Sequence, residues 1–287
     1  MAQHLRIIFL VVVASLLSNI TATAQEPLWK TIREPPALPQ PDNSGFADVN
    51  GIQLYYAVFN KNGKNPVLLL HGGLESSLCW GFEVPLLAKD HKVIIADSRG
   101  HGRSTMTNTP FSYDLLTSDI TGLLDYLKIQ KVAIVGWSDG GIIGLLMAIQ
   151  HPDRVNKLFT FGANFNSSGY KPVEIDSALA ATFISRMKSN YRRLSSTPDS
   201  FSALRRSIGK MYSNEPDIDT AEIKTIHCPT VIAGGEYEQF IKREHFEQLA
   251  RLISGAKLVI IPNVSHGGVL QDPVTFHKEV AKLLDEK

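Results

Sequence analysis

A strand of buried type that runs without a break into Gly-x-Ser-x-Gly and then into a helix leaves a chain few folds to adopt, and residues 132–147 form such a stretch. Val132-Ala133-Ile134-Val135 is apolar throughout, Gly136-Trp137-Ser138-Asp139-Gly140 carries the motif, and Ile142, Ile143, Leu145, Leu146 and Met147 follow. A strand-to-helix turn this sharp holds its serine in strained backbone geometry, and the flanking glycines permit an approach that a Cβ would obstruct. The helix that starts there points the positive end of its dipole at the serine. Ser138 is therefore the expected nucleophile. A glycine-rich turn with an incidental serine would share the five letters but has no need of this strand and helix setting.

The rest of the chain repeats the rhythm. Apolar runs of strand length occur at Val67 to Leu70, Val93 to Ala96, Val132 to Val135, Leu158 to Phe161, Thr230 to Ala233 and Leu258 to Ile261. Continuous apolar runs are what parallel strands covered on both faces require. Helical spacing alternates with them at Tyr113 to Leu127, Gly140 to Gln150, Lys242 to Ile253 and Pro273 to Asp285. Ahead of them, Phe46 to Val49 and Ile52 to Phe59 flank Asn50-Gly51, a strong short hairpin signal. The expected class is α/β, a mostly parallel sheet with helices on both faces. One gap interrupts it: from Asn164 to His227 only helical spacing is found, as in Ile175 to Leu194 and Phe201 to Tyr212. An insertion of this length is usually a lid or a binding element. The organisation reads as a core of residues 46–163 and 228–287 with a helical cap at 164–227.

The N-terminus is of another kind. Arg6 precedes an apolar run from Ile7 to Leu17, and Ala22-Thr23-Ala24 offers small residues for cleavage. Residues 1–24 read as a signal peptide, the mature chain starting near Gln25 in a periplasmic or extracellular compartment. The run is short of the roughly 20 residues a membrane-spanning helix needs, so no stable membrane insertion of the mature chain is expected. Residues 25–45 carry five prolines between Pro27 and Pro41 and read as an extended linker. Twenty-nine Lys and Arg against 28 Asp and Glu leave no global field to recruit nucleic acid or an anionic membrane. Function must lie in a local site, and the partner expected is a small-molecule substrate. The two cysteines, Cys79 and Cys228, are expected as free thiols, because a bridge is geometrically demanding.

A serine hydroxyl needs a base within reach, and the base needs an orienting group. His266, in Asn263-Val264-Ser265-His266-Gly267-Gly268, lies just past the strand ending at Ile261, where a loop at the sheet's C-terminal edge would hold it. His245 and His277 fall within helical patterns and His227 precedes a strand. The acid is expected after the strand Thr230 to Ala233, where Gly235-Glu236-Tyr237-Glu238 offers no Asp; Glu238 is the first candidate and Glu236 the reserve. His71-Gly72-Gly73-Leu74 follows the strand ending at Leu70, so the N–H groups of Gly73 and Asp139 are the expected oxyanion donors. Leu74 and Trp137, beside them, are expected to touch substrate. No His-Glu-x-x-His or paired-Cys spacing supports a metal site, and no Gly-x-Gly-x-x-Gly follows a strand. No cofactor is expected.

Together these residues resemble the α/β-hydrolase superfamily from Phe46 to the C-terminus. His71-Gly72-Gly73, the segment Asp97-Ser98-Arg99-Gly100-His101-Gly102-Arg103-Ser104, the Ser138 turn and His266 all fall where that family has its signposts. The resemblance implies an eight-stranded sheet, a structural loop at Asp97 to Ser104 and a serine hydrolase. Gly-Trp-Ser-Asp-Gly-Gly is similar to esterases and lactonases of valacyclovir-hydrolase-like and enol-lactonase-like kind. Glu238 departs from the commoner Asp. The expected activity is acyl transfer from a small ester, lactone or amide to water. An aminopeptidase-like amidase, or a binding protein whose chemistry has faded, are the alternatives. Seven cations between positions 186 and 210, Arg192 and Arg205 among them, face a single acid, Asp199. If Arg192 and Arg205 faced the pocket they would favour acyl groups bearing a carboxylate; basic residues at helical spacing otherwise form a solvated face. Asp139 could attract a substrate ammonium group, or could simply complement the helix N-terminus.

Overall fold

Strands that must be apolar on both faces can sort their residues by parity, odd positions to one layer and even positions to the other. In the computed structural model, which describes residues 26–172 and 177–286, the central strands do so. Leu68, Leu70, Ile94, Ala96, Val132 and Ile134 lie in one core layer, and their neighbours Val67, Leu69, Val93, Ile95, Ala133 and Val135 in the other. The strands are β1 (Asn43–Val49), β2 (Ile52–Phe59), β3 (Lys64–Leu70), β4 (His91–Ala96), β5 (Val132–Trp137), β6 (Val155–Phe161), β7 (Thr230–Gly235) and β8 (Lys257–Ile261). They form one sheet in the order β1-β2-β4-β3-β5-β6-β7-β8. Pairing is antiparallel from β1 to β2 and from β2 to β4, and parallel elsewhere. Asn50 and Gly51 both take positive φ, 46° and 75°, the two-residue turn that matches strand twist.

Helices cover both faces: α1 (Val84–Leu87), α2 (Tyr113–Tyr126), α3 (Asp139–Gln150), α4 (Ser177–Leu194), α5 (Phe201–Tyr212), α6 (Thr220–Ile223), α7 (Arg243–Leu252), α8 (Gly268–Gln271) and α9 (Pro273–Asp285). Leu116, Ile120 and Leu123 of α2, Ile142 and Leu145 of α3, and Phe246 and Leu249 of α7 close the first layer. Val84 and Leu87 of α1 with Phe276, Val280 and Leu283 of α9 close the second. Ser112 caps α2 by accepting from the Leu115 N–H, and Asp272 caps α9 by accepting from the Thr275 N–H. The strands begin earlier than the apolar runs alone suggest. Lys64 and His91 pair at the open end of β3 and β4, and Asn43 to Gly45 pair with Tyr56 to Val58. Backbone pairing carries these polar residues, so hydropathy does not show them.

Among the described residues between β6 and β7 the chain forms α4, α5 and α6, with isolated bridges such as Asn166 to Asp217 and Tyr170 to Ile241. Ile175, where sequence spacing starts the first helix, lies outside the described residues, as do the signal peptide and its cleavage point. Residues 26–42 form a short 3-10 turn at Leu28–Lys30 and otherwise no regular element, and they lie against the body. Trp29 stacks on Tyr237 with centroids 4.9 Å apart, and Ile32 and Leu38 pack on the second core layer. Both cysteines are free thiols; Cys79 is buried, and burial pushes its thiol up.

Candidate active site

The turn from β5 to α3 is built by exclusion. A Cβ on Gly140 would run into the Leu70 carbonyl, and one on Gly136 into the Gly140 carbonyl, so the helix can start hard against the sheet only with glycines there. Ser138 then takes φ 53° and ψ −117°. It stays there because its N–H donates to Phe161 O at 2.8 Å while its carbonyl accepts from Gly141 N–H and Ile142 N–H at 2.8 and 3.1 Å. Strain in a backbone so over-determined is characteristic of functional turns. The side chain is half-buried and faces a cavity of about 440 Å3, which the imidazole of His266 also lines.

His266 is held by its backbone as well as its ring. Its N–H donates to Gln239 Oε1 at 2.9 Å, and its carbonyl accepts from Trp137 Nε1 at 2.8 Å. Phe240 packs edge-on to the ring at 4.9 Å. Its Nδ1 lies 2.9 and 3.0 Å from the two carboxylate oxygens of Glu238. Since a carboxylate only accepts, Nδ1 carries the proton and Nε2 keeps a lone pair for the cavity. Glu238 is 6% exposed, and its Oε1 also accepts from the N–H groups of Phe240 and Ile241 at 2.9 and 3.3 Å. Glu236, the reserve candidate, is exposed and accepts from Asn263 N–H instead. Among the described residues no hydrogen bond joins the Ser138 hydroxyl to the imidazole, whose Nδ1 pairs with Glu238.

The loop after β3 is shaped by His71. Its Nδ1–H donates to Gly72 O at 2.7 Å while Nε2 accepts from Ser98 N–H at 3.0 Å, a single tautomer satisfied at both nitrogens. Gly72 abuts the Ser138 side chain and Gly73 lines the cavity. Leu74 follows at φ 64° and lines the cavity with Trp137. Asp97 is occupied elsewhere: it accepts from Ser77 and Arg103 and is fully buried, holding its loop together.

Asp139 sits 5% exposed beside Ser138. Its Oδ1 accepts from Tyr113 at 2.8 Å and from Tyr212 at 2.9 Å, and its Oδ2 from Tyr212 at 2.9 Å. Burial pushes the Asp139 carboxyl above its usual range, the two phenols acting against that rise. Both phenols are pushed well above their usual range, first by burial and then by the Asp139 charge. Two phenolic protons serve this carboxylate, that of Tyr212 shared between its two oxygens.

The cap contributes apolar wall. Phe183, Ile184 and Met187 of α4 face the cavity, with Tyr212 of α5. Arg192 and Arg205 do not: both are exposed on the outer side of their helices, and neither lines the cavity. The amphipathic helices turn Tyr191 and Leu204 inward, which leaves these arginines in solvent. Lys171 is the ammonium that lines the cavity, and it donates to the Glu238 carbonyl at 2.6 Å. Lys171, Tyr113 and Tyr212 have no local sequence signature, since each reaches the site from a distant segment; Gln239 directly follows Glu238 but carries no motif of its own. Among the described residues no group of three or more His, Cys, Asp or Glu side chains is placed to hold a metal ion.

Three comparisons with known proteins bear on the fold. The family described as alpha/beta hydrolase fold matches residues 65–201. Human serine hydrolase BPHL is 28% identical over 245 residues, covering 80% of this chain and 82% of the human one. A protein named putative carbamate hydrolase RutD, from Caulobacter sp. (strain K31), is 26% identical, covering 80% and 95%. Among solved structures, the enol-lactonase from Burkholderia xenovorans LB400 superposes with a TM-score of 0.68 at 24% identity, covering 84% of this chain and all of that one.

Proposed function

We propose that this chain, which belongs to the α/β-hydrolase superfamily, is a serine hydrolase cleaving small carboxylic esters, lactones or amides through an acyl-serine intermediate. The observation that carries the reading is the Glu238–His266 pair, with its free imidazole nitrogen opening on the same cavity as a serine held at positive φ. In the first half-reaction Ser138 Oγ attacks the substrate carbonyl and its proton passes to His266 Nε2. Glu238 stabilises the imidazolium that results. The carbonyl oxygen becomes an oxyanion facing the N–H groups of Gly73 and Asp139. The C–O or C–N bond then breaks, and the leaving group takes the proton from His266. Water attacks the acyl-serine in the same way, giving the carboxylic acid and restoring the serine hydroxyl.

The relatives' names support hydrolysis of small substrates, and the mainly apolar wall suits an acyl chain. The N-terminal segment supports export, which N-terminal sequencing of the mature protein tests. A fluorophosphonate probe should label the chain at Ser138, and Ser138→Ala should abolish labelling and lower kcat on activated esters by about 10⁴-fold or more. Labelling that persists in Ser138→Ala would remove the assignment, and no labelling of the parent chain would favour a binding protein on the same scaffold.

A further inference from the structure

We infer that Tyr212, on the cap, is a positioning residue for the oxyanion site, so that seating the cap and assembling the donors are one event. This rests on reading Ser138 as the nucleophile and the N–H groups of Gly73 and Asp139 as the donors. The wall that α4 and α5 present to the cavity is otherwise apolar, yet at its end Tyr212 turns a phenol onto a buried carboxylate, 2.9 Å from each oxygen. The same hydroxyl lies against Gly73 so closely that a Cβ there would collide with it. One atom of the cap thus touches both chain segments that supply the donors. The carboxylate is fixed from the other side by Tyr113 of α2, so it cannot yield by rotating away.

The second cap helix is fastened to the same place. Arg186 of α4 pairs with Glu75, a buried acid two residues beyond Gly73, whose own N–H donates to Gly72 O at 3.2 Å. Each long helix of the cap therefore makes a charged or charge-assisted contact with the loops around the oxyanion position, where apolar packing alone would have sufficed to close a cavity. Donors act on a transition state only when held within a few tenths of an ångström, and small misplacement costs rate rather than ground-state binding.

The test is Tyr212→Phe, which removes one oxygen and keeps the ring, assayed on 4-nitrophenyl acetate. The acetyl group is small against this cavity, so contacts between cap and acyl chain contribute little. kcat should fall about tenfold with KM within about twofold, and phenylboronic acid, which forms a tetrahedral adduct on serine, should bind about tenfold more weakly. In an Asp139→Ala background, which removes the acceptor, the same Tyr212→Phe change should alter kcat less than twofold, the sign of an effect that runs through Asp139. An unchanged kcat, a rise confined to KM, or an equal loss in both backgrounds overturns the inference. If fluorophosphonate fails to label Ser138 in the parent chain, the premise goes first and takes the inference with it. A kcat loss in Tyr212→Phe with normal labelling stoichiometry at saturation separates the two cases.

Discussion

Two buried or half-buried histidines away from Ser138 respond to protons in opposite directions, and their partners explain why. His101 is 1% exposed; its Nδ1–H donates to Arg99 O at 2.9 Å and its Nε2 has no partner among the described residues. Burial, reinforced by nearby His71, lowers its pKa to about 3. The unfolded chain would protonate this ring near pH 6.5 while the folded chain would not, so stability is lost as pH falls from about 6.5 towards 3. His277 is the converse: its bond to the buried Glu83 raises its pKa, a contribution present at low pH and lost as pH rises through the folded value. His101→Gln, which cannot titrate, should therefore lose less of its thermal midpoint between pH 7 and pH 5 than the parent. Equal losses would mean that other groups dominate. Neither role is legible from sequence, where His101 and His277 are one loop and one helical histidine. Ser138, Glu238 and His266 could be named because each follows a recognisable strand, whereas Tyr212 lies 73 residues from the carboxylate it serves.

At the scale of elements, six strands were legible because their cores are continuous apolar runs and the first two because β-rich runs flank Asn50-Gly51; α2, α3, α7 and α9 were legible because Leu, Ile and Phe recur at helical spacing, whereas α1 and α8 are too short to show a period. The proline-rich segment, expected as an extended linker, packs on the body. Gln271, fully buried in α8, accepts from the Ser265 N–H at 2.7 Å and donates to the carbonyls of Trp29 and Thr31 at 3.2 and 3.0 Å. The segment at 26–42 thus braces the residue beside His266. Nothing in its composition could show this, because its bonds use backbone carbonyls that every residue possesses. Removing the Trp29 stack on Tyr237 by Trp29→Ala should cost about 1 kcal/mol, a fall of about 2–4 °C in thermal midpoint. A chain lacking residues 26–41 should lose more, and its kcat should fall further than its KM rises, because the His266 loop loosens. Kinetics indistinguishable from the parent chain would reduce the segment to passive cover.

For the whole molecule, a net charge of +1 gives substrates no long-range pull, so charge selection must act inside the cavity. The seven cations of the cap looked from sequence like a means of attracting carboxylates, but helical spacing does not say which face turns inward, and Arg192 and Arg205 are in solvent. Exposed cations contribute little through water and salt. Lys171 is differently placed: half-buried at the cavity wall, it spends one of three ammonium donors on the Glu238 carbonyl and keeps two for a ligand. An acyl chain that runs along Phe183, Ile184 and Met187 with a carboxylate at its far end would use both surfaces. Lys171→Met should lower kcat/KM for the 4-nitrophenyl monoester of a dicarboxylic acid by about tenfold, the loss of about 1.4 kcal/mol expected for a partly desolvated ion pair. The neutral ester of equal length should change less than twofold, and Arg192→Ala and Arg205→Ala should leave both substrates alone. Equal effects of Lys171→Met on the two esters would assign Lys171 to holding the Glu238 loop, because its bond to that carbonyl acts on every substrate alike.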